Sequence, residues 1–198
     1  SYLVNKRILY VTREASYILS HRLPTIRAAE KAGFEIHIIA ASSLAANNDQ
    51  RQEIVGHGYR FYSLGDTSNT NIVLASISNI LCIRRKIKTI NPDLIHSIGL
   101  RSIVLVSASL FGHNVERIIY SVNGLGFLFT DLSLKTIVYK ALLLGSLKVF
   151  NFSRSVIYTF QNNQDKEQFV GSGLAHSKSP LIRGSGIDTK KFPFKSLP

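Results

Sequence analysis

The stretch Arg7-Ile-Leu-Tyr-Val-Thr12 decides how the rest of the chain is interpreted. Its run of β-branched, aliphatic and aromatic residues predicts a strand that is buried in a sheet. A helical pattern follows from Leu23 to Lys31, with Ser20 as a candidate N-cap and Pro24 near the first turn. The run Glu35-Ile-His-Ile-Ile-Ala40 predicts a second strand. Together the three segments predict one β-α-β unit with a right-handed crossover.

The alternation of strands and helices continues along the chain. It predicts a doubly wound parallel sheet with helices on both faces, the Rossmann-like α/β class. We assign this domain to residues 1–188, and we expect an interdomain linker to begin at 189–198, where the periodicity is lost. The further predicted strands are 59–63, 93–97, 117–122, 155–160 and 180–183, and the further predicted helices are 45–55, 70–90, 102–111, 132–152 and 163–170.

The composition excludes several classes of protein. The 198 residues include 24 Lys and Arg against 12 Asp and Glu, a formal charge of +12, and the hydrophobic fraction of 45% is typical of a globular domain. The single cysteine, Cys82, excludes an internal disulfide and a cysteine-based metal cluster, and it suits a reducing cytoplasm. We expect no membrane-spanning helix, no signal peptide at the N-terminus and no metal site.

The basic excess is compatible with nucleic acid, an anionic membrane surface or phosphorylated small molecules. The densest cluster is Arg84-Arg85-Lys86 with Lys88, on a predicted helix. It lacks the interleaved aromatic residues of a base-stacking surface, so no nucleic-acid partner is expected and a solvated helix face explains the cluster. The segment Leu132–Arg154 is basic and apolar on more than one face. That pattern predicts contact with an anionic bilayer, a lipid-linked substrate or a second domain.

In a doubly wound sheet, ligands bind beyond the carboxyl ends of the strands. The loop after the first strand contains no glycine, which disfavours a dinucleotide site, and neither a phosphate loop nor a Gly-x-Ser-x-Gly elbow is present. The most informative loop is Asn123-Gly-Leu-Gly126, because its glycines allow a ligand to approach the backbone closely. A tight turn is the purely structural alternative.

Basic and imidazole groups add candidates near these loops. His21 and Arg22 open the first predicted helix, where a phosphate could meet both side chains and free backbone N–H groups. A surface cap is the alternative there. His96 lies near the end of its predicted strand, so it faces the cleft or is a half-buried structural histidine.

Several stretches together resemble the N-terminal half of a family 4 bacterial glycosyltransferase with the GT-B architecture. No single stretch is specific, but their order and spacing cover nearly the whole chain. They are Lys6–Thr12, Ser20–Pro24, Ala32–Ile36, Asn91–His96, Asn123–Phe127, Thr159–Asn162 with Asp165, and Arg183–Asp188 with Phe192.

The resemblance implies one half of a two-domain enzyme. This N-terminal domain would hold the acceptor, and a C-terminal domain absent from the chain would hold a nucleotide-sugar donor, expected to be UDP-linked. The reaction implied is a retaining hexosyl transfer, without metal or other cofactor, onto a polyprenyl-linked saccharide. The implied setting is capsule, O-antigen or related glycan synthesis on the cytoplasmic face of the membrane, and this domain alone is expected to be inactive.

The resemblance also gives roles to single residues. Asn123 and Gly124 would lie at the transferred sugar, where many relatives place a histidine; Asn can hydrogen-bond a sugar hydroxyl but cannot carry a proton. The expected acceptor-binding residues are His21, Arg22, His96, Arg101 and Phe127, and those expected near the donor are Gln161, Asn162, Gly184 and Ser185.

Two other functions stay open from the sequence. One is a non-catalytic Rossmann-like module that binds an anionic small ligand, and the other is a basic nucleic-acid-binding protein.

Overall fold

The computed structural model describes residues 6–41, 47–64, 72–124, 134–152 and 155–184. Within these ranges a 6-stranded sheet has the order β3-β2-β1-β4-β5-β6, and every neighbouring pair runs parallel. The predicted Rossmann-like α/β fold is therefore confirmed. The strands are β1 (Lys6–Glu14), β2 (Phe34–Ala41), β3 (Arg60–Leu64), β4 (Leu94–Ile98), β5 (Arg117–Val122) and β6 (Val156–Phe160).

Helices cover both faces of the sheet. The helices are α1 (Ala15–Tyr17), α2 (Leu23–Lys31), α3 (Asn47–Gly56), α4 (Ile72–Ile90), α5 (Leu100–Ser109), α6 (Leu134–Asn151) and α7 (Asn163–Gly171), and a π-helical turn at Ile18–Arg22 joins α1 to α2. None of the helices in the described ranges combines the length and apolar character that a bilayer-spanning segment needs.

The central strand β1 shows why its sequence is almost wholly apolar. Successive side chains of a strand point to opposite faces, and β1 pairs with β2 on one side and β4 on the other. Leu9 and Val11 belong to the core under α4, α5, α6 and α7, whereas Ile8 and Tyr10 belong to the core under α1, α2 and α3. Both faces of β1 are buried because helices lie above and below it.

The first helical segment begins earlier than predicted. It starts at Ala15, directly after β1, with α1 and the π-helical turn. Helix α2 then occupies Leu23–Lys31 as predicted, but its N-cap is Arg22, so the prediction of Ser20 as N-cap is wrong. Pro24 has no N–H to donate to the carbonyl four residues before it and would clash with that carbonyl in a regular helix. The π-helical turn at Ile18–Arg22 precedes the proline, as insertions in the hydrogen-bond ladder commonly do at such positions.

The predicted strand at 180–183 is also wrong. Leu181 makes only an isolated parallel bridge to Phe160, with Phe160 N–H donating to Pro180 O at 3.0 Å and Ile182 N–H donating to Phe160 O at 2.7 Å. Pro180 has no N–H with which to extend the ladder, and the chain turns at Gly184, whose φ is +72°. The segment is therefore a single bridge at the edge of the sheet.

Polar side chains lock α6 against the sheet and α5. Ser107 Oγ donates to Tyr120 OH at 2.9 Å, Tyr120 OH donates to Asn151 Oδ1 at 3.4 Å, and Asn151 Nδ2 donates to Ser107 Oγ at 3.2 Å. This closed ring satisfies polar groups between α5, β5 and α6, which fixes the position of the α6 C-terminus.

Four predictions fall outside the described residues. They are the helix starts at Ala45, Thr70 and Leu132 and the linker at 189–198.

Candidate functional site

The strand order reverses between β1 and β4, and a cleft of about 220 Å³ lies at the carboxyl ends of these strands. Reversal points of this kind leave a crevice, because the helices following the two strands go to opposite faces. We call this the switch-point cleft; it is lined by Thr12, Arg13, Glu14, Tyr17, Ile98, Gly99 and Asn123.

Three side chains from two separate regions meet at the cleft. Asn123 Nδ2 donates to Tyr17 OH at 2.7 Å, and Arg22 Nη2 donates to Asn123 Oδ1 at 3.2 Å. Arg22 Nη2 also lies 3.5 Å from Tyr17 OH, and its guanidinium lies 5.7 Å from the centre of the Tyr17 ring. Since Tyr17 OH accepts both bonds, its own proton is available to a ligand in the cleft.

Arg22 is a buried cation with neutral partners. Arg22 is only 8% exposed, and its Nε is buried without a hydrogen-bond partner among the described residues. Among the described residues, the ion pairs of the structure do not include Arg22. An unpaired buried charge is costly to a fold, so this guanidinium favours the arrival of an anion at the cleft.

His21 lies beside the same tyrosine but outside the core. Its ring stacks on Tyr17 with centroids 4.8 Å apart and an interplanar angle of 8°. Its Nδ1 is hydrogen-bonded to Ser20 Oγ at 2.6 Å. His21 and Arg22 therefore lie in the second turn of the helical segment, and the start of the segment at Ala15 is nearer to the strand end.

His96 is held in the sheet rather than at its mouth. His96 Nε2 is hydrogen-bonded to Ser121 Oγ at 2.8 Å, and Ser121 Oγ is hydrogen-bonded to Thr159 Oγ1 at 2.9 Å. Its ring lies 5.3 Å from that of Tyr10. Burial, with a smaller contribution from the positive charge of Arg22, lowers the pKa of His96 to about 4. The imidazole is therefore neutral at neutral pH, and it ties β4 to β5 beneath the cleft.

Arg101 lies at a second, smaller concavity of the same edge. This pocket of about 70 Å³ shares Thr12 and Arg13 with the switch-point cleft, so the two adjoin each other. Arg101 is exposed in the first turn of α5, which begins after Gly99 at a φ of +85°. Buried Asn79 from α4 also lines the pocket. Arg101 in the first turn of α5 and Arg13 near the end of β1, itself 3.7 Å from Glu14 Oε1, bring two guanidinium groups to this concavity, which makes it suitable for anions.

The residues expected near the donor are less concentrated. Asn162 is the N-cap of α7: its Oδ1 accepts from Asp165 N–H at 2.8 Å, and its Nδ2 donates to Asp165 Oδ2 at 2.8 Å. Gln161 follows the end of β6 and is partly buried, and Gly184 is exposed beyond the bridge to Phe160. Phe127 and Ser185 lie outside the described residues. Gly124 directly follows Asn123, and its φ is +92°.

Sequence reasoning missed Tyr17 as a member of the site. A helix start at Leu23 left Tyr17 in an undefined loop, whereas a start at Ala15 places its hydroxyl against Asn123. The available signal was its position, five residues beyond the predicted first strand. Within the described residues, clustered His, Cys, Asp and Glu side chains that could hold a metal ion do not occur.

The sheet order defines a Rossmann-like domain, with a polar crevice at the position where such domains bind ligands. The profile of the family described as "Glycosyl transferase 4-like" matches residues 7–162. The chain belongs to this glycosyl transferase 4-like family, which confirms the resemblance to the N-terminal domain of a GT-B glycosyltransferase. No curated protein sequence matches the chain significantly.

Solved structures show the same fold at low sequence identity. A glycosyltransferase from Rickettsia africae ESF-5 is similar with a TM-score of 0.61 and 13% identity, over 96% of this chain and 45% of that one. A UDP-GlcNAc 2-epimerase from Methanocaldococcus jannaschii has a TM-score of 0.60 and 14% identity, over 89% of this chain and 45% of that one. A sucrose-phosphate synthase structure from Thermosynechococcus elongatus has a TM-score of 0.59 and 8% identity, over 94% of this chain and 93% of that one. The chain thus spans less than half the length of the first two proteins.

Proposed function

We propose that this domain is the acceptor-side half of a retaining glycosyltransferase, which moves a hexose from a UDP-linked donor to a polyprenyl-linked saccharide. The observation that carries the proposal is the buried guanidinium of Arg22, which is hydrogen-bonded to Asn123 at the switch-point cleft and forms no ion pair with the residues that the structure describes. Membership of the glycosyl transferase 4-like family supports the reaction class. The low-identity structural neighbours support only the fold.

The chemistry of glycosyl transfer fits the charges at the cleft. The reaction develops positive charge on the transferred sugar and negative charge on the departing phosphates, so preorganised donors and cations lower its barrier. Arg22 and the Tyr17 hydroxyl would face the pyrophosphate of the acceptor, and Asn123 with Gly124 would face the transferred sugar. His21 lies against Tyr17 at the rim, where a longer acceptor would pass.

His96 would act here as a positioning residue. Its imidazole is neutral, is hydrogen-bonded to Ser121 and packs against the ring of Tyr10. It would therefore fix the ends of β4 and β5 beneath Arg22. Arg101 would bind a second anionic or polar part of the acceptor in the adjoining pocket. Gln161, Asn162 and Gly184 would approach the donor side.

The test uses the full-length protein, with inorganic pyrophosphate as the first probe. We expect pyrophosphate binding, measured by calorimetry, to weaken at least about tenfold in Arg22→Met, because a charged hydrogen-bond donor is lost. Arg51→Met is the matched control, since Arg51 is exposed on α3 and does not line the switch-point cleft. Equal affinity in the parent and Arg22→Met would overturn the assignment of the anion site.

A second measurement separates enzyme from binding module. The full-length protein is given a panel of UDP-hexoses and a synthetic polyprenyl pyrophosphate-linked saccharide, and released UDP is measured. Acceptor-dependent release that falls in Asn123→Ala supports the transferase. Pyrophosphate binding without UDP release from any donor would reject the transferase and support the non-catalytic module.

A further inference from the structure

The outer face of α4 exposes large apolar side chains that have no place on an ordinary solvated helix. Leu74 is 62% exposed and Val73 60%, and Ile77 and Leu81 are each 49% exposed. Three of them line, with residues of the C-terminal half of α4, a shallow groove of about 590 Å³. We call this surface the α4 outer face, formed by Val73, Leu74, Ile77, Leu81, Arg85 and Lys88. Half-exposed aliphatic side chains in consecutive turns indicate a surface that is covered in use.

The C-terminal end of the same face carries exposed cations. Arg84 donates to the carbonyls of Ser109 and Phe111, and Lys86 lies 4.3 Å from the centre of the Tyr62 ring. Arg85 and Lys88, by contrast, are exposed one turn apart, in line with the apolar residues. The cluster that the sequence explained as a solvated helix face therefore divides into two structural and two outward-facing cations.

Three of the four helices on this side of the sheet carry only basic charges, and the fourth, α7, also carries Asp165 and Glu167. Helices α4, α5 and α6 contain no Asp or Glu. Their basic residues are Arg84, Arg85, Lys86, Lys88, Arg101, Lys135, Lys140 and Lys148. On the opposite side, α2 and α3 carry Glu30, Asp49 and Glu53 among their charges. The cationic character therefore belongs to α4, α5 and α6 and not to the whole surface.

We propose that α4 lies on the surface of an anionic lipid bilayer, with the four apolar side chains in the headgroup boundary and with Arg85 and Lys88 on the lipid phosphates. Charge complementarity selects this occupant: apolar residues beside lysine and arginine, without acids, are the pattern that binds such interfaces. A second copy docked through the same face would bring like charges together.

The position of α4 gives the docking a consequence at the cleft. α4 follows β3, so its N-terminal half, with Val73 and Leu74, lies toward the carboxyl edge of the sheet. Asn79, on the buried side of α4, lines the Arg101 pocket. The bilayer and the pocket are then separated by one helix diameter of about 10 Å. This places a membrane-carried ligand beside the cleft, a consequence that rests on the proposed function, although the docking itself needs no sugar chemistry.

The experiment is flotation of the purified protein with lipid vesicles that contain no acceptor. We expect binding to vesicles of equimolar phosphatidylcholine and phosphatidylglycerol, and much weaker binding to phosphatidylcholine alone. Arg85→Ala and Lys88→Ala should each weaken binding about fivefold. Arg51→Ala on α3 is the matched control and should bind like the parent. Equal binding to both vesicles, or equal losses in Arg51→Ala, would overturn the proposal.

A fluorescent reporter tests direct contact without depending on affinity. These 198 residues contain no Trp, so Ile77→Trp gives this domain one indole on the α4 outer face, and Val55→Trp places a matched one on α3. We expect a blue shift and quenching by brominated lipid only for Ile77→Trp. An unchanged spectrum in a variant with parental circular dichroism would reject the docking, as would a dimer in sedimentation velocity that Leu74→Asp dissociates.

These outcomes differ from those of the proposed function. Failure of vesicle binding with intact pyrophosphate binding and UDP release rejects only the docking of α4. If the parent protein binds vesicles but does not bind pyrophosphate, only the assignment of the cleft is rejected.

Discussion

Arg22 and Asn123 are 101 positions apart in the sequence, yet Arg22 Nη2 donates to Asn123 Oδ1 at 3.2 Å. This bond joins the helical segment after β1 to the end of β5 and leaves the buried guanidinium with a neutral partner. A neutral partner orients the cation without cancelling its charge, which is what an anion site requires. A substitution that gives Arg22 a counter-ion should therefore stabilise the fold and weaken ligand binding.

Asn123→Asp should stabilise the fold and abolish pyrophosphate binding. The new carboxylate would face the Arg22 guanidinium and compensate a buried charge that forms no ion pair within the described part of the chain. We expect the free energy of unfolding in urea to rise by about 2 kcal/mol. Asn123→Ala serves as the comparison, since it removes the amide without adding charge and should lower stability. A loss of stability in Asn123→Asp would contradict the unpaired state of Arg22.

Tyr17→Phe should weaken pyrophosphate binding, and this loss should be larger than its small destabilisation of the fold explains. It removes the hydroxyl that accepts from Asn123 Nδ2 and Arg22 Nη2, at a cost of about 1 kcal/mol in the free energy of unfolding. Tyr62→Phe is the matched control, because its hydroxyl is hydrogen-bonded to His37 Nδ1 at 3.1 Å away from the cleft. Calorimetry with pyrophosphate should show a defect in Tyr17→Phe alone; equal affinities would remove Tyr17 from the site.

His96 should make the fold sensitive to mild acid. Its pKa is lowered to about 4 in the folded state, from 6.5 in the unfolded chain, so the unfolded state binds the proton first as the pH falls. At pH 7 the imidazole is neutral in both states, so its protonation does not change the free energy of unfolding. This free energy then falls progressively as the pH drops below 6.5 toward 4. At pH 5 the loss from this group is about 2 kcal/mol.

Urea unfolding at pH 7 and pH 5 measures this dependence. His96→Gln should show a smaller loss between the two pH values than the parent, while His176→Gln, which changes an exposed histidine, should match the parent. An imidazole of His96 that titrates near its ordinary pKa by nuclear magnetic resonance would contradict the prediction.

Asn162 offers a way to separate capping from a role near the donor. Asn162→Ala should lower the free energy of unfolding by about 1 kcal/mol, because the α7 N-terminus loses its side-chain acceptor. Asn162→Ser keeps a capping oxygen and should restore that stability. If transferase activity recovers together with stability in Asn162→Ser, capping explains the residue; activity that stays low despite full stability indicates contact with the donor.

Much of the fold could be predicted from local sequence patterns. Apolar runs such as Arg7–Thr12 and the stops at Gly33 and at Asn91-Pro92 define strands and helices through neighbours within a few residues. The errors came where tertiary packing overrode local signals. Ser20 was interpreted as the N-cap of α2 although it lies within the π-helical turn that precedes this helix, and Pro180–Arg183 had strand-like residues without a ladder to join.

The sequence by itself determined the parallel sheet, the resemblance to family 4 glycosyltransferases and the choice of Arg22 and Asn123 as candidates. Only the tertiary structure decided that Tyr17 lies between them, that His96 is buried under Ser121, and that Arg85 faces outward while Arg84 is held by the α5 C-terminus. Local periodicity fixes which face of an element a side chain occupies. Which distant side chain it meets there depends on strand order and helix packing, and these are set by the whole core.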